Sequence, residues 1–357
     1  MENIREMTVN QLPAPTWNWL HMNESKLKLD TKTADLAIKK QVPSVGIQCY
    51  EDCNHLLKEC STGMGEEIQS LMEQTKTKVL HLETEEGVMV QEPVLLHFDY
   101  GKETAYHDIE IVAKANSSLT VIMTYTGIKN EARQEKSYSG VRTKLKAEEK
   151  ARINLIQVQL LDSSHIHFND IGGICQEEGQ IDLLQLELGS KELYSGCRIE
   201  LTGKESEFHS HVGYLGRQEQ RFDMNYIVNH YGKKTKSGLK VDGVLDDRAS
   251  KIFRGTIDFK QGASGSQGEE QEDVLLLGDD IVNQTIPLIL CAEEDVQGNH
   301  GATIGQIDDE VLFYLCSRGM TKEEAQAMIV QARIDTLCSK IPNEQVVTMI
   351  DTFRQEA

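Results

Sequence analysis

The chain has 357 residues, of which 39% are hydrophobic, 26% charged and 6% aromatic. This composition is typical of a folded globular protein, and the length allows two or three domains. A net charge of −20 disfavours nucleic-acid backbones and anionic membrane surfaces as partners, so neither is expected. No run of about 18 apolar residues occurs, so no membrane span is expected.

The opening residues, MENIREMTVNQ, contain acids and no apolar run, so neither a signal peptide nor a transit peptide is predicted. Eight cysteines are present, and none forms a Cys-x-x-Cys pair. In a chain with no export signal they indicate reduced thiols and a cytoplasmic protein. The spacing of Cys49, Cys53 and Cys60 matches no metal-binding pattern, and ordinary packing explains it better.

Residues 1–75 are predicted to form a mostly helical N-terminal region. The region contains a Pro-Trp segment, LPAPTWNWL at Leu12–Leu20, in which Trp17 and Trp19 are expected to anchor packing. A helical pattern follows over Glu51–Gln74.

Residues 76–306 are predicted to form a β-rich core, because apolar and polar residues alternate with a period of two. The clearest segments are 156–160, 184–188, 197–201 and 253–259. Many short strands without a long intervening helix indicate an antiparallel sandwich, a barrel or a β-solenoid, and periodicity alone does not choose among them. Strand pairs recur roughly every 20–25 residues without a strict repeat. The polar, Gly- and Ser-rich stretch 262–273 is expected to be an exposed loop.

Residues 307–357 are predicted to form a C-terminal helical domain. Asp308–Ser317 indicates a first helix that a glycine soon ends. Thr321 and Glu324 form a capping box that opens a second helix. Apolar residues over Val346–Phe353 outline a last helix, so the β-rich core carries a compact helical tail.

Two His-x-His pairs, His165/His167 and His209/His211, are candidate metal ligands, because alternate residues of a strand face the same side. A third ligand would have to come from a neighbouring strand, and the polar face of a sheet explains such a pair more often. His300 lies in the glycine-flanked segment GNHGAT, where an uncovered imidazole suits metal ligation or proton transfer.

The common motifs of autonomous enzymes are missing from the sequence. It contains no G-x-S-x-G elbow, no G-x-x-x-x-G-K-[ST] phosphate loop and no H-E-x-x-H zinc helix. A stand-alone β-helix metalloprotein that uses one of the His-x-His pairs remains an alternative. A carbohydrate-active β-helix is disfavoured, because such proteins are exported.

A set of motifs lies in order between about residues 239 and 334. They are KIFRGTIDF (Lys251–Phe259), DVLLLG (Asp273–Gly278), PLIL (Pro287–Leu290), HGATIGQ (His300–Gln306) and LFYLCSRG (Leu312–Gly319). Together they resemble the SufB/SufD family of iron–sulfur cluster assembly proteins. HGATIGQ is closer to the SufD branch than to the SufB branch, and Leu12–Leu20 resembles the start of SufD chains.

The resemblance implies a right-handed parallel β-helix core with an N-terminal helical region and a C-terminal helical domain. It also implies a non-catalytic scaffold subunit of the SUF system. Such a subunit pairs with SufB through the last coil, near Thr285–Gln306, and docks the SufC ATPase on its helical tail. A nascent iron–sulfur cluster is expected at the SufB–SufD interface, and no cofactor is expected to be tightly bound in the isolated chain. Homodimerisation without SufB is left open.

The resemblance places His300 at that interface as a ligand of iron or of the nascent cluster. Glu272 falls where SufB chains carry a functional cysteine, so no thiolate role is transferred. Gly298 stands where SufD chains often carry a cysteine, which leaves His300 as the retained family residue. Glu272 and Asn299 are expected to support it.

Three residues of the helical tail are expected to contact SufC, namely Phe313, Tyr314 and Arg318. Exposed aromatic and Arg side chains are the usual anchors of an interface. Internal packing of the two aromatic side chains is an equal alternative.

Overall fold

The computed structural model describes residues 3–16, 18–75, 77–128 and 136–356, so the hypothesis on Trp17 lies outside the described residues. Trp19 is 68% exposed, so the prediction that it is a buried packing anchor is wrong. In chain order the strands are β1 (Ile4–Val9), β2 (Ser25–Asp30), β3 (Lys39–Gln41), β4 (Ile47–Asp52), β5 (Val79–Thr84), β6 (Val94–Asp99), β7 (Ala105–Ala113), β8 (Ser118–Thr126), β9 (Ser137–Ala147), β10 (Arg152–Leu160), β11 (His165–Cys175), β12 (Gln180–Glu187), β13 (Glu192–Leu201), β14 (Glu207–Gly216), β15 (Arg221–His230), β16 (Lys236–Leu245), β17 (Ser250–Phe259), β18 (Ser266–Leu276), β19 (Val282–Cys291) and β20 (Val296–Gly305). The helices are α1 (Glu66–Gln74), α2 (Asp309–Ser317), α3 (Lys322–Cys338) and α4 (Glu344–Glu356), with a 3₁₀ turn at Asn18–Leu20.

The core is a parallel β-helix, which confirms the solenoid among the three architectures that periodicity left open. Even-numbered strands from β6 to β20 pair in parallel in one sheet, here called the even sheet. Odd-numbered strands from β5 to β19 pair in parallel in the other, the odd sheet. At the N-terminal end, β3 and β4 add to the two sheets in the antiparallel direction. Each coil therefore contributes one strand to each sheet.

The coils are longer than the 20–25 residues expected from the sequence. Along the even sheet, Arg152 lies beside Gln180, Gln180 beside Glu207 and Glu207 beside Lys236, so successive coils span 27 to 29 residues. The corners turn through residues with positive φ that are not glycine, such as Lys150, Glu178, Glu205 and Lys234. A turn position occupied by Lys and Glu leaves no glycine signature, which is why no strict repeat is visible in the sequence.

Both faces of each sheet are covered, so strand alternation does not separate inside from outside. Leu184 and Leu186 belong to the apolar cluster under the C-terminal helices. Their neighbour Gln185 instead points between the two sheets, where its side chain accepts a hydrogen bond from Tyr226 Oη. Most of the interior is apolar, from Leu80 to Val274. A polar strip therefore runs inside an otherwise apolar β-helix.

The N-terminal residues contain less helix than predicted. The β1–β2 hairpin and α1 cover the outer face of the odd sheet, with Met7, Leu27 and Ile68 packed against Phe168. Of the predicted helix over 51–74, only α1 forms, because the first residues belong to β4 and a loop follows. The 262–273 segment is also not a loop, since most of it forms β18.

The C-terminal helices match the sequence prediction closely. Thr321 and Glu324 make the predicted capping box at the start of α3. Helices α3 and α4 pack on the outer face of the even sheet, where Ile334, Leu337 and Ile350 are buried. None of the helices in the described part of the chain is both long and apolar enough to cross a membrane.

Candidate functional site

The C-terminal end of the β-helix is an open edge formed by β19 and β20. Each of these strands pairs on one side only, with β17 and β18 respectively. Nine of the ten residues of β20 are exposed, because no further coil covers them in the described chain. Backbone N–H and C=O groups along such an edge are free to pair with another strand.

The open edge carries few of the features that normally protect an edge strand. One is Pro287 in the middle of β19, which has no backbone N–H to offer a partner. Strands β19 and β20 contain no Lys, Arg, Asp or Glu, although charged residues make up 26% of the chain. At the opposite end, the edge strand β3 has only three residues and carries Lys39 and Lys40. Short, Lys-bearing edges resist pairing, whereas long uncharged ones accept it. The two ends of the β-helix are therefore chemically different.

His300 lies on β20 and faces the space between the two sheets. Two residues earlier, a Cβ added at Gly298 would lie 2.8 Å from Ile289 Cγ2 on the odd sheet, so this face of β20 points inward. His300 shares that face because alternate strand residues point the same way. Its side chain is exposed only because the last coil has nothing above it. Asn299 points to the opposite face, so the strand separates it from His300.

Glu272 lies one coil below, in an internal ion pair. It is 1% exposed, is bound by the Lys251 ammonium, and accepts a hydrogen bond of 2.7 Å from Thr285 Oγ1. Lys251 Nζ also donates to Thr285 Oγ1 at 2.9 Å. Burial lowers the pKa of Lys251, and the Glu272 carboxylate opposes that shift. The carboxylate of Glu272 is thus occupied by the ion pair and the hydrogen bond. Its register neighbour on β20 is Ala302.

Glu270 is the acid that the sequence analysis missed. It is the register neighbour of His300 and is only 3% exposed. Its Oε2 atom is buried without a hydrogen-bond partner. Burial raises the pKa of Glu270 to about 7, Glu272 adds to the shift and Lys251 opposes it. The sequence does not reveal this residue, because the polar 262–273 segment predicts a loop. A strand there places positions 266, 268, 270 and 272 on the inner face.

The described residues contain no group of three or more His, Cys, Asp or Glu side chains arranged to hold a metal ion. His300 and Glu270 are therefore at most part of a ligand set, and further ligands would have to come from another chain.

The pair His165/His167 lies deep inside the β-helix. His165 Nε2 lies 3.2 Å from the Gly101 carbonyl oxygen, and His167 Nδ1 lies 2.9 Å from Ser139 Oγ. Burial lowers the pKa of both, that of His167 to about 3. Both imidazoles are accordingly neutral core groups.

The pair His209/His211 faces outward on the even sheet. His211 Nε2 lies 2.5 Å from Asp242 Oδ2, and its Nδ1 lies 2.7 Å from Lys340 Nζ. His209 lies 3.5 Å from Glu207. Because both ring nitrogens of His211 already have partners, this pair cannot ligate a metal as it stands.

Helix α2 exposes the aromatic residues that were expected to make a contact. Phe313 is 76% exposed and Tyr314 is 55% exposed, and no residue of α2 is buried. The guanidinium of Arg318 lies over the Tyr314 ring, 5.2 Å from its centroid. The alternative that the two aromatic residues are internal packing is therefore wrong for this chain.

The chain matches a family model over most of the β-helix. Residues 97–333 match the model "SUF system FeS cluster assembly, SufBD core domain". This match covers well over half of the chain, which belongs to that family.

The chain is similar to two curated SufD proteins. It is 26% identical to "Iron-sulfur cluster assembly protein SufD" of Bacillus subtilis over 272 residues, which cover 74% of this chain and 62% of that protein. It is also 26% identical to the Escherichia coli protein of the same name over 282 residues, covering 77% of this chain and 65% of that one. The chain thus spans less than two thirds of the length of either relative.

Proposed function

We propose that this chain is a SufD-like scaffold subunit for iron–sulfur cluster assembly and has no catalytic activity of its own. It pairs with a SufB-like chain through the open edge of its β-helix. The observation that carries this proposal is the uncharged pair of edge strands, β19 and β20, with His300 facing inward at the open end of the β-helix. Each ten-residue strand offers an edge about 33 Å long, and along β19 the ladder with a like partner is interrupted at Pro287, which has no N–H to donate.

The nascent cluster is cargo at this joint, not a resident cofactor. His300 offers an imidazole nitrogen, a donor that suits iron. Gly298, two residues before His300 on the same face, brings no thiolate to this position, and the free Cys291 lies at the far end of β19. The partner would therefore contribute the sulfur ligands.

A SufC-like ATPase docks on the helical tail in this proposal. Helix α2 presents Phe313 and Tyr314 to solvent, and buried aromatic anchors commonly dominate the energy of an interface. Helices α3 and α4 fix the tail to the even sheet, so a pull on α2 would be transmitted to the β-helix.

Anoxic co-purification tests the proposal. The tagged full chain is co-expressed with a SufB-like chain and a SufC-like ATPase, and the masses and iron content of the eluate are measured. Recovery of both partners, with iron that depends on His300, is expected. Recovery of the chain alone would refute the pairing.

Two pairs of variants assign the surfaces. Gly301→Lys adds a charge to the open edge at a position where a side chain meets nothing within 4 Å, so it should block the SufB-like partner without unfolding the chain. Its control is Gln271→Lys, at the exposed register neighbour on β18.

Phe313→Glu should abolish binding of the SufC-like ATPase and leave binding of the SufB-like chain unchanged. Its control is Tyr231→Glu, at an aromatic residue of the β-helix that is 43% exposed.

A further inference from the structure

The two interior acids of β18 differ in what they contact. Glu272 is neutralised by Lys251 and bonded to Thr285, as described above. Glu270, two residues earlier on the same inner face, has a carboxylate oxygen that is buried and unpartnered. A buried carboxylate without a partner is costly when it is ionised, so stability does not explain an acid at this position.

The space around Glu270 is kept open by a glycine. Across the β-helix from it lies Gly255 on β17, where a Cβ would overlap the Glu270 carboxylate. The last coil places Pro287 beside Gly255 and His300 beside Glu270. Neither Pro287 nor Gly255 carries a hydrogen-bond donor in its side chain, so the carboxylate is left with His300 as its polar neighbour in the coil above.

We propose that Glu270 and His300 together form this chain's half of a ferrous-iron site at the open end of the β-helix. The inference rests on the proposed function and extends it, because it assigns a second ligand from this subunit. A carboxylate oxygen and an imidazole nitrogen are donors that ferrous iron accepts together. Side chains at matched positions on adjacent parallel strands lie side by side, which is close enough to share one ion.

The arrangement gives the two ligands different access. His300 is exposed at the mouth, whereas Glu270 is reached only from the open end, because β18 and β17 enclose it. An entering cation meets the imidazole first and then compensates the buried carboxylate. Docking of the partner chain over β20 would then cover the bound iron.

The test measures ferrous-iron binding by the assembled complex under anoxic conditions. Glu270→Gln keeps the shape of the side chain and removes its charge, and should weaken iron binding at least about tenfold. Gly255→Ala, which displaces the carboxylate, should weaken binding in the same direction. Glu269→Gln, on the exposed face of the same strand, is the matched control and should bind like the wild type.

Partner recovery and melting temperature are measured on the same samples, so that loss of folding or assembly is not mistaken for loss of a ligand. Iron binding lost in Glu270→Gln, with assembly and melting temperature kept, supports the inference. Iron binding that depends on His300 but not on Glu270 overturns it and leaves the proposed function standing. If wild-type chain recovers no partner, the proposed function fails. In that case the inference is tested on the isolated chain, which is titrated with Mn²⁺ and followed by electron paramagnetic resonance. Mn²⁺ binding that Glu270→Gln leaves unaffected overturns the inference.

Discussion

Leu337 of α3 fills the space that Gly213 leaves on the outer face of the even sheet. A Cβ at Gly213 would overlap Leu337 Cδ1, and Leu337 is only 3% exposed. The absence of a side chain at this one position therefore lets the helical tail lie directly on the β-helix. Close contact of this kind fixes the distance between the two parts.

Gly213→Ala is expected to push α3 away from the sheet and to lower the free energy of unfolding by about 1–3 kcal/mol, because the added methyl overpacks the contact. Amide hydrogen exchange should increase in α3 and α4 and stay unchanged in the interior strands. Gly238→Ala is the control, since that Cβ faces only the flexible side chain of His209, at 3.1 Å. Equal effects of the two substitutions would contradict the assignment.

Glu187 is predicted to make the β-helix less stable as the pH rises. It is fully enclosed, and burial raises its pKa to about 8. Between its ordinary pKa of 4.5 and about 8 the folded chain holds a proton that the unfolded chain has released, so stability falls as pH rises through this window.

Glu187→Gln should remove this loss, which makes the variant more stable than the wild type by about 2–5 kcal/mol at pH 8 but not at pH 4. Denaturant unfolding at a series of pH values measures the difference. Glu177→Gln, at an exposed acid, should leave the pH profile unchanged. A pH-independent gap between wild type and Glu187→Gln would refute the explanation.

Asp223 is predicted to hold the N-terminal hairpin on the odd sheet. Its carboxylate pairs with Arg254 at 2.8 Å and accepts a hydrogen bond of 2.8 Å from Asn10 Nδ2, and all three residues are buried. Asp223→Asn leaves the Arg254 cation unpaired and should cost about 3–5 kcal/mol of unfolding free energy. Arg254→Met together with Asp223→Asn should cost less than the sum of the single changes. Additive costs in denaturant unfolding would show that the two groups do not interact.

The non-glycine corners are predicted to be strained. Gln218 has φ of 55°. Its backbone N–H donates to Asp247 Oδ2 at 2.9 Å and its carbonyl oxygen accepts from the Arg248 N–H at 2.9 Å, so both main-chain groups are used at the corner. Gln218→Gly keeps both hydrogen bonds, relieves the left-handed conformation and should raise the unfolding free energy by about 0.5–1 kcal/mol. Gln218→Ala keeps the strain and should change little. The melting temperatures of the two variants, compared with wild type, distinguish the cases.

The fold could be predicted where side chains alternate between apolar and polar. The segments at 156–160, 197–201 and 253–259 are strands, and the capping box at Thr321 begins α3 as predicted. Alternation did not reveal orientation, because Leu184 faces the helices and Gln185 faces the interior. The helical tail covers the outer side of the even sheet and the β-helix interior covers the inner side, so both sides of the sheet are buried.

The site was predicted in part. The family resemblance pointed to His300, and the structure places it on the inner face of the open edge. The sequence did not reveal Glu270, because the segment rich in Gly, Ser and Glu lacks the apolar residues that indicate a strand. Its interior positions carry charge, so only the contact of Glu272 with Lys251 on β17 and the unpartnered oxygen of Glu270 show which acid is neutralised and which is not.

The unequal ends of the β-helix limit how far chains can assemble. A stack with two equivalent open ends adds subunits at both and grows into a fibre. Here the long uncharged edge lies at one end. The other end has the three-residue β3 with its two lysines and the six-residue β4, which carries Glu51 and Asp52. In the proposed pairing, only the long uncharged end of each chain would join a partner. Assembly through these edges would therefore stop at two chains instead of continuing into a fibre.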